Sequence, residues 1–235
     1  MPKSKRAKVV HLSQVEKKGK ELSRKLFANV RNCLDNYGFC WVYSVEAMRN
    51  TFLKDIRHEL SDSRLFFGKT KVMAKALGLT PEEAYMEKID QLATHLNGNV
   101  GLLFTNRDPA IIIKFFQNLS KTDYARAGTT STREFTIPAG VVMSRGGEIA
   151  EDDDVPMAHS METELRKLGM PTNLVRGKIM LQNDYTVCQE GIVLDSRQTR
   201  LLKLFGVAMA EFKISLRAYW SSANEVVTQF NSIVE

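Results

Sequence analysis

The chain has 235 residues, room for one large domain or two modest ones, with 43% hydrophobic and 26% charged residues. That balance describes an ordinary globular protein and excludes a disordered tail, and no apolar run approaches the roughly 18 residues a membrane-spanning helix needs. The net charge of +6 is unevenly spread: residues 1–25 hold nine Lys and Arg against Glu16 and Glu21, while residues 146–165 hold seven acids and neither Lys nor Arg. A basic end of this kind favours a polyanionic partner.

In chain order, Lys3, Lys5, Arg6 and Lys8 belong to a polar arm, a candidate nuclear import signal. No apolar stretch follows it, so a secretory leader is not expected. Ser13 and Glu16 form a capping box that opens a helix with Val15, Leu22, Leu26, Val30 and Leu34 on one side. Phe39 to Val45 has the density of a strand buried on both faces. Met48, Phe52, Ile56 and Leu60 recur every fourth residue and predict a second helix. A short strand over 64–67 turns at Gly68 into a third helix, Lys69 to Leu77, which Gly78 terminates. Thr80-Pro81-Glu82-Glu83 reads as the cap and first turn of a fourth helix. Asn97-Gly98 precedes a strand over Val100 to Thr105, and Asp108-Pro109 starts a helix that runs to about Leu119. This alternation predicts an α/β layer with partly parallel strands.

The pattern changes after Gly128. Strand runs at 135–138, near 174–181 and at 185–188, a short helix ending at Leu168-Gly169 and a turn at Asn183-Asp184 suggest a smaller α/β module. Ser196 to Leu204 looks helical. Phe212, Ile214, Leu216, Ala218 and Trp220 alternate with polar neighbours as a strand does, and that strand can return to the first sheet. The expected architecture is therefore α/β, with a sheet-and-helix RNA-binding domain over 1–127 and 207–235 and a smaller inserted α/β domain over 128–206.

No catalytic constellation is assembled. Gly68-Lys69-Thr70 resembles the end of a phosphate loop, but Ser63 stands where the loop's first glycine belongs and the intervening residues are strand. His58-Glu59 lacks a second histidine at position 62, and the four histidines have no metal spacing. Cys33, Cys40 and Cys188 show no Cys-x-x-Cys pair, which suits a reducing compartment and argues against zinc. Neither a metal nor a cofactor is expected, and Asp152-Asp153-Asp154 reads as a solvated acidic loop. What remains is the basic face. A helix starting at Gly68 offers unsatisfied N–H groups and the positive end of its dipole to a phosphate. Lys69, Thr70, Lys71 and Lys75 surround that end, and Lys17, Lys20, Arg24, Lys54 and Arg57 extend the patch. Gly68, without a Cβ, lets an RNA backbone come close. A nucleotide-binding enzyme built on Gly68-Lys69-Thr70 and an adaptor acting through the inserted domain are the two alternatives.

Four stretches in order carry a family resemblance: Gly68 to Leu77, Gly101-Leu102-Leu103-Phe104-Thr105-Asn106, Ala127-Gly128 through Ile137-Pro138-Ala139-Gly140, and Leu168-Gly169-Met170-Pro171-Thr172 with Arg176-Gly177-Lys178-Ile179. Together they resemble the ribosomal stalk-base proteins, the acidic P-zero family, over nearly all of 13–230. The chain departs from that pattern at Thr70-Lys71, where Asn-Thr is usual, and in its basic arm. It also ends at Glu235 without the stalk-binding helices and acidic tail, which makes it similar to the assembly-factor branch of the family. The resemblance implies a non-enzymatic ribosome biogenesis factor that binds large-subunit rRNA at the stalk-base site of pre-60S particles. There it would neighbour the stalk-base ribosomal protein, be displaced with a release factor, and recruit no acidic stalk protein dimers. It further implies a nucleolar and nuclear location, with shuttling to the cytoplasm on precursor particles.

Overall fold

The computed structural model describes residues 20–150 and 152–230. Lys3, Lys5, Arg6, Lys8, Ser13, Glu16 and Lys17 lie outside the described residues. Two compact units divide the chain. The first takes the described residues up to Val42, then Asp62–Asn106, then those from Ala218; the second takes Tyr43–Ser61 and Arg107–Arg217.

β1 (Phe39–Glu46) and β10 (Ala210–Ser221) each run on from one unit into the other; in the first unit Phe39–Val42 and Ala218–Ser221 of these strands join β2 (Arg64–Phe66), β3 (Val100–Thr105) and β11 (Val226–Gln229) in a sheet of order β11-β10-β1-β3-β2. The late strand does return to this sheet, beside β1. β3 is buried at all six positions and β1 at five of its eight, which is why both read as dense apolar runs. β2 runs antiparallel to β3 with Arg64 opposite Phe104 and Phe66 opposite Leu102. β10 and β11 pair antiparallel, a hairpin for which the alternation of residues gives no signal.

Helices α1 (Lys20–Asn36), α3 (Thr70–Leu77) and α4 (Ile89–Ala93) share a core with this sheet, including Val30, Leu34, Val42, Met73, Leu77, Leu92, Leu102 and Phe104. Leu22, expected on the apolar stripe of α1, is 51% exposed. The stripe becomes buried only from Leu26 onward, where α3 lies against it. On β1 and β10, Trp41 stacks on Tyr219 at 4.4 Å between ring centres, and the Trp220 indole donates to the Glu87 carbonyl at 3.0 Å.

The fourth helix expected from Thr80-Pro81-Glu82-Glu83 does not form: the segment makes one turn, Glu83 N–H to Thr80 carbonyl, and stops. Tertiary contacts override its good capping chemistry. Tyr85 N–H reaches back to the Leu77 carbonyl at 2.9 Å, and the Tyr85 hydroxyl donates to Asp35 on α1 at 3.1 Å. This fold-back depends on Gly78, at φ 108°, where a Cβ would fall 2.5 Å from Ala84 Cα and 2.6 Å from the Glu83 carbonyl oxygen.

In the second unit, β4 (Ser120–Asp123) pairs antiparallel with Ala210 to Lys213 of β10. α2 (Asn50–Glu59) starts two residues later than the Met48 periodicity suggests, because Arg49 at its N-cap is ion-paired with Asp123 and donates to the Tyr124 carbonyl. α5 (Pro109–Gln117) begins as expected, the Asp108 side chain accepting from Ala110 N–H. Beyond residue 125 a separate core, with Phe135, Leu165, Ile179, Val187, Leu202 and Phe205, is enclosed by α6 (Glu162–Lys167), α7 (Ser196–Leu204) and two small sheets. One sheet is β5 (Phe135–Ile137) with β9 (Tyr185–Cys188); the other has the order β6 (Gly140–Val141), β8 (Lys178–Leu181), β7 (Thr172–Val175).

Two details correct the sequence reading. The apolar run near 174–181 is a hairpin, since Arg176 and Gly177 both take positive φ, 50° and 78°, and form a two-residue turn. Asn183-Asp184 is not a hairpin turn, because the strands on either side belong to different sheets; Asp184 instead accepts from Ala139 N–H.

The acidic stretch is also more than a solvated loop. Glu148 takes both ends of the Arg133 fork, at 2.8 and 2.7 Å. Asp154 is buried and accepts from Ser144 Oγ, Arg145 N–H and Val155 N–H at 2.7–2.8 Å. Desolvation alone would raise its pKa, but these bonds and the nearby Arg145 charge outweigh it and hold the carboxyl below its ordinary value. Among the described acids of this stretch, only Asp152 and Asp153 stand exposed without such bonds.

Both features can be tested by substitution. Gly78→Ala should cost about 2 kcal/mol or more, read as a lowered urea midpoint, because it combines positive φ with a backbone clash. Asp154's folded pKa is depressed, so its contribution is complete above the ordinary carboxylate value of about 3.9 and is lost as pH falls through the folded one. Asp154→Asn should therefore destabilise the chain at neutral pH and flatten the loss of stability below about pH 4 in an acid titration.

Candidate nucleic-acid interface

β2 is only three residues long and leads through Phe67 and Gly68 directly into α3, with Lys69 as the N-cap. No side chain caps this helix, and its first turn contains no acid. Lys71 stands there instead, although a cation near a helix N-terminus costs about 0.3–1 kcal/mol when exposed. Helix stability therefore does not account for these residues.

Gly68 is equally unforced. It is exposed and is not among the positive-φ glycines, and an added Cβ would meet only Leu26 Cδ2, at an ordinary 3.6 Å. Neither a turn nor a tight packing contact requires glycine at this position.

α1 and α3 lie side by side and run in the same direction. At one end Lys69 Nζ donates to Ser23 Oγ at 3.2 Å and Gly68 sits over Leu26; farther along, Arg31 Nε donates to the Ala76 carbonyl at 3.3 Å. Lys20 and Arg24, one turn apart beside Ser23, are thereby placed at the same end as Gly68, Lys69, Thr70 and Lys71. Lys75 follows Lys71 one turn along α3, and both are exposed. Among the described residues none of Lys20, Arg24, Lys69, Lys71 and Lys75 has an ion-pair partner, whereas Lys25 pairs with Glu21 at 3.4 Å and Lys121 with Asp55 at 3.1 Å. Unneutralised charge thus collects at the joint start of the two helices. Thr70 is half-buried there as the first residue of α3.

Lys54 and Arg57 are exposed on α2 and belong to the second unit, so the structure does not join them to this cluster. Arg31, equally basic in the sequence, is engaged within the fold. Its guanidinium lies over the Phe27 and Tyr85 rings at 4.4 and 4.7 Å and serves as packing. Sequence reasoning missed Ser23, whose hydroxyl fixes Lys69; nothing in its spacing distinguishes it. It also missed Asn29, Asn32 and Asn36, although their spacing of three and four residues places them on one side of α1.

The phosphate-loop alternative meets the expected obstacle: residues 64–66 ahead of Gly68 are strand, hydrogen-bonded to β3. Among the described residues no group of three or more His, Cys, Asp or Glu is placed to hold a metal ion, and no helix is long and apolar enough to cross a membrane.

The family described as Ribosomal protein L10 matches residues 18–121, and the family described as the insertion domain in the corresponding 60S ribosomal protein matches residues 125–207. The class is thus an L10-type domain followed by the insertion domain of that family. Among individual relatives, the protein named Ribosome assembly factor mrt4 in Neurospora crassa is 54% identical over 97% of this chain and 93% of its own length. Its Schizosaccharomyces pombe counterpart is 51% identical over 94% of this chain and 92% of its own. Large ribosomal subunit protein uL10 of Thermococcus onnurineus is 23% identical over 84% of this chain and 55% of its own length. The chain belongs to the mrt4 family of ribosome assembly factors.

Because Gly68 needs neither special φ nor space, Gly68→Ala should leave the unfolding free energy unchanged within about 0.5 kcal/mol. Equilibrium denaturation beside Gly78→Ala checks this directly.

Proposed function

We propose that this chain is a non-enzymatic assembly factor of the large ribosomal subunit that holds the stalk-base site of pre-60S particles. It does so by clamping rRNA phosphates between the starts of α1 and α3, and it is later replaced by the ribosomal stalk-base protein with the help of a release factor. Its proposed setting is the nucleolus and nucleus, with passage to the cytoplasm on the particle, beside other pre-60S proteins. The family supports the assembly role, and its kinship with uL10 supports the choice of site.

The observation that carries the RNA reading is Gly68. An exposed glycine that the fold does not require, at an uncapped helix start ringed by unpaired lysines, fits the close approach of a polyanionic backbone. Such contacts position folded RNA through shape and phosphate and carry little sequence information of their own. Lys20, Arg24, Lys71 and Lys75 contribute mobile charges. Lys54 and Arg57, and Lys17 outside the described residues, extend the footprint in this proposal, and the arm with Lys3, Lys5, Arg6 and Lys8 serves nuclear import.

Lys69→Glu should weaken binding to a stalk-base rRNA fragment by about tenfold or more and reduce the slope of log affinity against log salt by about one. Fluorescence anisotropy across a salt series measures both; unchanged affinity and slope would remove Lys69 from the interface.

A further inference from the structure

On the flank of α1 away from α3 lies an open cleft of about 510 Å³. Asn29, Asn32 and Asn36 of α1 line it together with Tyr37, Arg64 at the start of β2 and Asn106 just after β3. Cys33 and Asp62 complete the wall. All belong to the first unit.

The polar atoms are only partly used. Asn36 Nδ2 donates to the Asn32 carbonyl at 2.6 Å, which leaves its own Oδ1 available. Asn106 Oδ1 accepts from Gly38 N–H at 2.7 Å, which fixes that carboxamide and leaves its NH₂ available. The Asn29 and Asn32 carboxamides have no hydrogen-bond partner among the described residues. Arg64 lies over the Phe66 ring, 5.7 Å from its centre. Tyr37 is braced by Phe104, 6.4 Å away. The single carboxylate, Asp62, already accepts from Ser63 Oγ. Burial keeps the Cys33 thiol protonated despite the nearby Arg64 charge, so no thiolate opposes an electron-rich ligand. The cleft therefore presents planar donors and acceptors with one guanidinium beside a ring wall. That is chemistry for the edge of a nucleobase more than for a bare phosphate: one carboxamide can make two bonds to the N6/N7 edge of adenine, and one guanidinium two to the O6/N7 edge of guanine.

Its position relative to the phosphate clamp supports the same ligand. Lys20, Arg24, Ala28, Asn32 and Asn36 are spaced by four and all exposed, so they form one continuous row along α1. The row begins with two cations at the clamp, passes the small Ala28 and ends in carboxamides at the cleft. From Arg24 to Asn32 the helix rises about 12 Å. β2 joins the same two places beneath it, the four steps from Arg64 to Gly68 spanning about 13 Å.

We infer that this asparagine cleft receives one unpaired purine of the RNA whose backbone the Gly68 clamp holds, and reads its edge through Asn29, Asn32, Asn106 and Arg64. The inference rests on the clamp reading and adds to it the source of base discrimination. Unstacked bases are the usual target when proteins read RNA sequence.

The test uses the full chain, the stalk-base rRNA fragment and copies of it in which each unpaired purine is changed singly to a pyrimidine. Asn29→Ala combined with Asn32→Ala alters two exposed helix positions that make no internal side-chain bonds, so the fold persists; circular dichroism verifies that. The unaltered chain should lose about tenfold or more in affinity on one particular substitution, and the double variant should lose as much on the unaltered fragment. With both changes together the losses should not add. The salt slope should stay that of the unaltered chain, unlike that of Lys69→Glu. Additive losses at every substitution, or a double variant that still discriminates, would overturn the cleft assignment while leaving the clamp standing. Loss of the Lys69→Glu effect alongside retained base coupling would instead overturn the clamp and keep the cleft.

Discussion

The rest of the site depends on one constraint: β2 feeds α3 with no slack. Three residues of strand, paired to β3, followed by Phe67 and Gly68, leave no length for a loop, so the start of α3 must emerge at the edge of the sheet beside α1. The same shortness has two effects. It denies the chain the flexible backbone that would wrap a triphosphate. It also fixes Lys69 within reach of Ser23 and so sets two runs of basic residues side by side at one end. Packing farther along, through Leu26, Val30, Met73 and Leu77, keeps the two helices in register.

Charge in this molecule is sorted by use. Arg31, Arg49, Lys121 and Arg133 are held by rings, carboxylates or carbonyls, and each has a structural task. The acids at 148 and 154 are similarly occupied, so the apparent polarity of the sequence, basic start against acidic middle, is weaker in the fold than in the tally. Among the described residues Lys20, Arg24, Lys69 and Lys71 keep no ion-pair partner, and they sit where α1 and α3 begin. Exposed pairs contribute little to stability, so the contrast between paired and unpaired lysines is better read as a statement about ligands than about folding.

Much of this was legible in the sequence because local and tertiary demands agree. Phe39 to Val45 could hardly be anything but a central strand, Asp195 with Gln198 caps α7 reciprocally, and the alternation from Phe212 to Trp220 survives as burial alternation in β10. The start of α3 and its end at Gly78 were readable for the same reason. The failures arise where a distant contact decides. Thr80-Pro81 has every local mark of a helix start, yet Tyr85 is needed at Asp35 and the chain turns back instead. Arg176-Gly177 lacks the usual hairpin dipeptide, so β7 and β8 merged into one run. The asparagine cleft was invisible because Asn106 and Arg64 reach α1 only through the sheet, and spacing along one helix cannot reveal partners from two strands.

The two tryptophans carry a practical consequence. The chain has only Trp41 and Trp220, and both lie buried in the first unit, one stacked on Tyr219 and the other anchored to the Glu87 carbonyl. Tryptophan emission, excited selectively at the red edge of the absorption band, therefore monitors the unit that holds Lys69 and is silent about the insertion. Comparing that optical signal with far-ultraviolet ellipticity, which both bodies share, separates one cooperative melting event from two.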